Sequence, residues 1–322
     1  MAEWEPALGT LVTYPFEIPD ELVQDLAREA RLYVLVGRDQ EIEAGSKLEE
    51  LGVPPDRREL VFSSSRTPWT RDWGPHQVRL PDGRRALVDH IFRGYPWVPA
   101  QESVEDVSYR WGSPEGDDAA TRELAAQLGL PLVELPAIAT GGNLLTDGHG
   151  RAFCTRAQVI ENARELSEAE YRALLRERLG IDDLIVLENT ESFGIQHIDC
   201  WLKVLDAGTL LVKRPPPDHP ESAPIERNLE LLRALRTPAE KPYEILRIDC
   251  PRFHEDDIAA YTNSLMLNGV VHVPLFGIEG DEKALASFRD ALPGWEVRGY
   301  LYDGWRHFDA LHCRTRALFR AD

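Results

Sequence analysis

Five short segments carry residue types that suit one kind of chemistry. They are Trp69-Thr-Arg-Asp-Trp-Gly-Pro75, Thr140-Gly-Gly-Asn143, Gln196-His-Ile-Asp-Cys-Trp201, Tyr261-Thr-Asn263 and Asp309-Ala-Leu-His-Cys-Arg-Thr315. Together they offer two carboxylates (Asp72 and Asp199), an imidazole (His197), a thiol (Cys313), an indole (Trp69) and two amides (Asn143 and Asn263). A guanidinium is planar, permanently charged and rich in donors. Holding it out of water takes carboxylates that accept in a bidentate manner. Asp72 and Asp199 could provide these, and Trp69 could cover the face of the cation. A Cys313 thiolate could then attack the central carbon while His197 protonates the departing ammonia. Guanidine plus water would become a ureido product plus ammonia through a covalent thiouronium, with no metal and no organic cofactor.

Each residue alone has a plainer reading. Asp72 could pair with Arg71 or cap a turn, and Gly141-Gly142 is ordinary turn chemistry. His197, Asp199 and Cys200 are all zinc-ligand types. On a strand, however, Cys200 would point away from the other two, and no second ligand cluster accompanies them. Cys154, Cys200 and Cys250 read as small buried hydrophobes. His90, His149, His219 and His254 read as turn or surface residues.

Convergence of five distant segments requires a fold that brings them to one place, and a repeat supplies it. Four hairpins recur: Gln77–Leu80 with Ala86–Ile91, Asn143–Thr146 with Ala152–Thr155, Trp201–Leu205 with Thr209–Lys213, and Ser264–Leu267 with Val270–Phe276. Their turns begin at 82, 147, 206 and 268 and are mostly Asp-Gly or Asn-Gly, which tolerate positive φ. Each hairpin is followed by an amphipathic helix and a further strand. Ser167 with Glu170 predicts a capping box, and Gly180 a C-terminal stop. The N-terminus offers Leu11–Tyr14, a helix over Asp20–Ala30 and Tyr33–Val36, and Ala310–Phe319 offers the strands this unit lacks. The expected fold is therefore α/β: five strand–strand–helix–strand units of about 62 residues, closed into a ring so that no sheet edge is left bare. Each chemical segment directly precedes a hairpin or closes the ring, so all five would meet at one mouth of its axis. No composition shift divides the chain, and one domain over 1–322 is expected.

The composition excludes several classes. The chain has 322 residues, 43% of them apolar, four cysteines and a net charge of −19. It is neither disordered nor a disulfide-stapled miniprotein. The acidic balance argues against nucleic acid as a partner and suits a cationic ligand. No apolar run approaches the length of a membrane helix. The opening Met1-Ala-Glu-Trp lacks a secretory pattern, and the cysteines form no Cys-x-x-Cys pair. A cytoplasmic protein with free thiols is expected.

Taken together, these motifs resemble the guanidino-group-modifying (pentein) superfamily, with its five-bladed α/β propeller. Within it the chain is similar to the Porphyromonas-type peptidylarginine deiminases, the branch that also holds agmatine deiminases. The resemblance implies that Trp69-x-Arg71-Asp72-x-Gly74 carries one guanidinium-binding aspartate. It implies that His197-Ile-Asp199 carries the catalytic histidine and the other aspartate. Tyr261-Thr-Asn263 would carry an active-site asparagine and Asp309-Ala-Leu-His-Cys313 the nucleophile. Agmatine deiminases tend to have a glycine-rich segment before the nucleophile and an acidic or aliphatic residue at the place of Cys200. This chain has neither and leans to the peptidylarginine type. The first expectation is conversion of peptidyl or C-terminal arginine to citrulline and ammonia, with Arg93 or Arg110 anchoring a substrate carboxylate. Either arginine could equally form a surface salt bridge. The nearest alternative is agmatine deiminase, making N-carbamoylputrescine. An amidinotransferase and a non-catalytic guanidine-binding protein stand further off, the latter because binding alone needs neither Cys313 nor His197.

Overall fold

A computed structural model describes residues 2–100, 107–110 and 114–320. The predicted tight turns set its hairpins. Gly83, Gly148 and Gly269 take φ of 85°, 72° and 87°, a region that glycine enters without strain. The Asp206 turn uses another device: its carboxylate accepts from the Gly208 N–H at 2.7 Å, an Asx turn.

Four sheets repeat one order, an antiparallel hairpin followed by a parallel strand. They are His76–Arg79, Arg85–Ile91 and Leu132–Ile138; Leu145–Thr146, Arg151–Thr155 and Asp183–Leu187; Leu202–Val204, Thr209–Arg214 and Glu244–Asp249; and Leu265–Leu267, Val270–Leu275 and Glu296–Leu301. A parallel pair needs a crossover. The helices Pro114–Leu128, Glu168–Leu179, Ser222–Ala234 and Gly280–Ala291 lie in these connections. Ser167 and Glu170 form the expected capping box, and Gly180 ends that helix at φ 68°.

The remaining sheet joins the chain's two ends. Arg316–Phe319 runs antiparallel to Ala7–Thr13, with Thr10 opposite Ala317. Ala7–Thr13 and Arg31–Val36 then pair in parallel, as do Arg31–Val36 and Arg58–Phe62. This unit is larger than expected, because the helix Glu41–Glu50 and the strand Arg58–Phe62 extend it. The strand Arg58-Glu-Leu-Val-Phe62 is stabilised by its parallel neighbour rather than by any alternation of its own. The expected strands over Ala310–Phe319 reduce to Arg316–Phe319, and the residues before it form turns. A further small sheet places Tyr95–Pro99 between Phe193–Gly194 and Ser108–Arg110. Its two prolines weaken the strand signal in the sequence.

Five apolar clusters lie between successive sheets. Val61 and Leu11 pack with Leu87, Val88 and Leu135 with Cys154 and Leu184, and Phe153 and Leu187 with Leu202 and Val212. Leu211 and Ile248 pack with Met266 and Val271. Leu265 and Leu267 pack back onto Leu32 and Val34 of the first sheet. The contacts are cyclic, so each of these five sheets packs against a neighbour on either side.

Candidate active site

The one-turn segments Thr70–Trp73, Gly141–Asn143 and Ile198–Cys200 each stand just before the first strand of a sheet. Backbone groups tie the segments together. The Arg71 N–H donates to the Cys313 carbonyl at 3.0 Å, and the His312 N–H donates to the Asn263 carbonyl at 3.0 Å. The Asn143 side-chain oxygen accepts from Ile198 N–H at 3.3 Å and Thr155 N–H at 3.0 Å, while its Nδ2 donates to Thr155 Oγ1 at 2.9 Å. Asn143 therefore clamps the turn that carries His197 and Asp199.

Asp72 is 1% exposed. Its Oδ1 accepts from Gly142 N–H at 2.8 Å and its Oδ2 from the Tyr95 hydroxyl at 2.9 Å. His197 Nδ1 lies 3.6 Å from Oδ1. Burial, reinforced by the charge of Asp199, pushes Asp72 up to about 6 against the pull of His197. Asp199 is completely buried, and its Oδ2 lies 2.7 Å from His312 Nδ1. The other nitrogen of that ring lies 2.6 Å from Glu3 Oε2, so one imidazole bridges two carboxylates. Burial pushes Asp199 up, but the hydrogen bond and charge of His312 outweigh it and hold Asp199 below the usual carboxylate range. Glu3 also pairs with Lys203 and, at 3.4 Å, with Arg71.

Backbone shape makes room for this pairing. A Cβ on Gly142 would stand 2.5 Å from Asp72 Oδ1, 2.8 Å from His197 Nδ1 and 3.1 Å from Asp199 Oδ2. Only glycine lets the chain pass among the three groups. His197 is 1% exposed, and neither ring nitrogen has a hydrogen-bond partner. A buried imidazole left in this way is costly.

Cys313 is 2% exposed. Asn263 Nδ2 reaches its Sγ at 3.2 Å, and the same amide's oxygen accepts from the Cys313 N–H at 3.2 Å. A hydrogen bond from Cys200 pulls the Cys313 thiol down, but burial and the carboxylates of Asp199, Asp72 and Asp309 push it up to about 11. Trp69, Asp72, Tyr95, Ile195, Phe308, Asp309 and Cys313 line a narrow cavity. The Trp69 and Tyr95 rings meet edge to face, with centroids 4.8 Å apart.

The structure thus brings Trp69, Asp72, Asn143, His197, Asp199, Asn263 and Cys313 into one neighbourhood. Arg110 stands directly opposite Tyr95 in the small sheet, and Arg93 is two residues before Tyr95. Arg93 pairs with Glu165 at 2.6 Å, and Arg110 lies over the Trp97 ring, 4.8 Å from its centroid. Tyr95, Gly142, His312 and Glu3 escape sequence reasoning. Of these, only His312, adjacent to Cys313, carries a local signal. Among the described residues, no group of three or more His, Cys, Asp or Glu is placed to hold a metal ion. Nor, among them, is any helix long and apolar enough to cross a membrane.

The model of the Porphyromonas-type peptidyl-arginine deiminase family matches residues 1–318. A Streptomyces coelicolor protein, provisionally named an agmatine deiminase, is 26% identical over 98% of this chain and 96% of its own length. Among solved structures, a Porphyromonas gingivalis protein provisionally named an arginine deiminase superposes with a TM-score of 0.82 at 23% identity, covering 100% of this chain and 98% of that one. The agmatine deiminase of Enterococcus faecalis superposes with a TM-score of 0.81 at 18% identity, covering 100% and 95%. Both share the mixed α/β fold described above.

Proposed function

Because this chain belongs to the Porphyromonas-type peptidyl-arginine deiminase family, we propose that its hydrolysis of a guanidino group is directed at agmatine, giving N-carbamoylputrescine and ammonia through a covalent intermediate on Cys313. We read the five cyclically packed sheets as the blades of a closed propeller, one catalytic domain over 1–322, with the site at one mouth of its axis.

The observation that carries this reading is the buried His197 ring, with both nitrogens unpartnered, among Asp72, Asp199 and Cys313. The two carboxylates accept from the guanidinium. Its positive charge offsets the two negative neighbours that hold Cys313 as a thiol, so the thiolate becomes accessible in the complex. The thiol proton passes to His197, and the sulfur bonds to the guanidinium carbon. One C–N bond breaks, and His197 gives its proton to the departing ammonia. A water attacks the resulting thiouronium carbon while His197 takes its proton. The C–S bond then breaks, the departing sulfur regains the proton from His197, and the hydroxyl proton of the tetrahedral carbon is lost to ammonia, freeing the ureido product. The sum is guanidinium plus water to ureide plus ammonium.

Agmatine moves ahead of the arginine peptide for two reasons. The relatives are named for agmatine, at low identity. Of the arginines expected to anchor a carboxylate, Arg93 is already paired with Glu165, and Arg110 lies over the Trp97 ring. Comparison of kcat/KM for agmatine, free arginine and a peptide ending in arginine tests the reading, with agmatine expected to be highest. A winning peptide would restore the peptidylarginine assignment, and no turnover of any guanidine would leave a binding protein. Cys313→Ala should abolish turnover while substrate still binds, and iodoacetamide should label Cys313 ahead of Cys200.

A further inference from the structure

Cys200 stands beside the reacting sulfur, and the steps above give it no part. Its side chain is 3% exposed. Its Sγ lies 3.6 Å from Asp199 Oδ1 and 3.9 Å from Asn263 Nδ2. Cys313 Sγ lies 4.0 Å from Asp199 Oδ2 and 3.2 Å from the same Nδ2. The two thiols flank one carboxylate, share one amide and lie within hydrogen-bonding reach of each other. Cys154 and Cys250, by contrast, sit in apolar clusters and touch no reacting group.

A thiol hydrogen goes to the best acceptor it can reach. In the free protein that hydrogen is shared between Asp199 Oδ1, at 3.6 Å, and the neighbouring Cys313 sulfur. A bound guanidinium claims the Asp199 oxygens with charged N–H donors, which bind a carboxylate more strongly than a weak S–H does. Asn263 Nδ2 is itself a donor and cannot accept. The acceptor left to Cys200 is the Cys313 sulfur, which accepts well as the thiolate that attack requires.

We propose that Cys200 is a catalytic residue: when substrate occupies Asp199, its S–H is given over wholly to the Cys313 sulfur and, with Asn263 Nδ2, holds that sulfur as a thiolate. Cys200 keeps its own proton throughout, and the Cys313 proton goes to His197 as before. Binding of the cation and activation of the nucleophile are thereby coupled through the single carboxylate of Asp199. The inference rests on Cys313 being the nucleophile.

The experiment compares Cys200→Ser, which keeps a donor, with Cys200→Val and Cys200→Ala, which do not. The full chain is assayed on the best of the three guanidines across pH. Loss of one hydrogen bond to a charged sulfur is expected to lower kcat about 5- to 20-fold. For Val and Ala, KM should stay within about twofold and the acid limb of kcat should move to higher pH. Ser should remain within about threefold of the parent. Iodoacetamide inactivation of the free protein should slow by less than kcat falls, because there the S–H is shared with Asp199. Unchanged kcat in the Val variant overturns the proposal. A Ser variant as slow as Val overturns it too, since the loss would then come from packing. Slowing of free-protein alkylation equal to the fall in kcat also overturns it, by placing the full contact before substrate arrives. If Cys313→Ala turns over, the nucleophile assignment fails and this inference with it. If Cys313→Ala is dead and Cys200→Val is normal, only the role of Cys200 is lost.

Discussion

Asp72 and Asp199 come from turns of similar construction, each a single helical turn just ahead of a hairpin, and both are almost wholly buried. Their acidities nevertheless move in opposite directions. Asp72 receives its hydrogen bonds from neutral donors, a backbone N–H and a phenol, and burial takes it up to about 6. Asp199 faces His312, which is backed by Glu3 with Lys203 and Arg71 behind it, and it falls. Equal burial therefore does not fix a carboxylate's state; the hydrogen bonds and charges around it do. The pair is unequal before substrate arrives, with Asp199 a standing anion and Asp72 one that the entering cation completes.

The largest expected effect removes either charge. Breaking a desolvated pair by taking away one partner costs about 3–5 kcal/mol, so Asp72→Asn and Asp199→Asn should each lower kcat/KM by roughly 10²–10³-fold or more. Near-normal kinetics in either variant would make that carboxylate structural. A comparable loss comes from crowding the pair. Gly142→Ala places a methyl within 3.1 Å of both aspartates and His197. Displacement of reacting groups by about an ångström costs about 10²-fold. Unchanged kinetics in that variant would show that the turn yields and that the geometry around Gly142 does not set the rate.

Stability separates the two aspartates. The folded pKa of Asp72 lies above its unfolded value, so the folded chain binds the extra proton between about pH 4 and 6. Stability from this group is greatest below that window and falls as pH rises through it. Asp199 has the opposite sign: its contribution is present above the unfolded pKa and is lost as pH falls through the folded one. At pH 8, Asp72→Asn should therefore raise Tm by a few degrees and Asp199→Asn should lower it. Equal shifts of the same sign would erase the distinction between the two sites.

Most of this contrast could not be read from the sequence, although the members of the pair could. Asp72, His197, Asp199 and Cys313 stood out because their segments adjoin hairpins announced by Asp-Gly and Asn-Gly turns, and turn chemistry is local. What tunes the aspartates is not local. Glu3 reaches His312 from the far end of the chain, and no periodicity encodes a contact across that distance. Tyr95 opens a strand that Pro96 and Pro99 disguise. Asn143 was expected to meet substrate, and its amide is engaged with Thr155 and Ile198. Residue type and spacing carry no information on which way an amide turns. The small sheet and the Arg58–Phe62 strand were missed for a related reason, since both depend on neighbours distant in sequence.

The smallest expected effect tests the neutral-donor side of the comparison alone. Tyr95→Phe removes the hydroxyl that donates to Asp72 Oδ2 at 2.9 Å. It keeps the ring that meets Trp69 at 4.8 Å and Phe92 at 5.5 Å. Loss of one hydrogen bond to a charged acceptor is worth about 1–2 kcal/mol, or roughly 5- to 30-fold in kcat/KM. The direction in pH follows from which form the phenol favours. Its donated hydrogen stabilises the ionised carboxylate, so without it Asp72 rises further. The parent profile of kcat/KM should climb as pH passes about 6, where Asp72 becomes the anion that the guanidinium needs. In Tyr95→Phe that limb should move to higher pH by about 0.7–1.5 units, so the loss falls on the acid side and at high pH the two profiles should converge. In Asp72→Asn the limb should vanish. A limb that stays in place in Tyr95→Phe, or survives in Asp72→Asn, would belong to a different group, and the inequality of the two aspartates would then have no part in the pH dependence of the reaction.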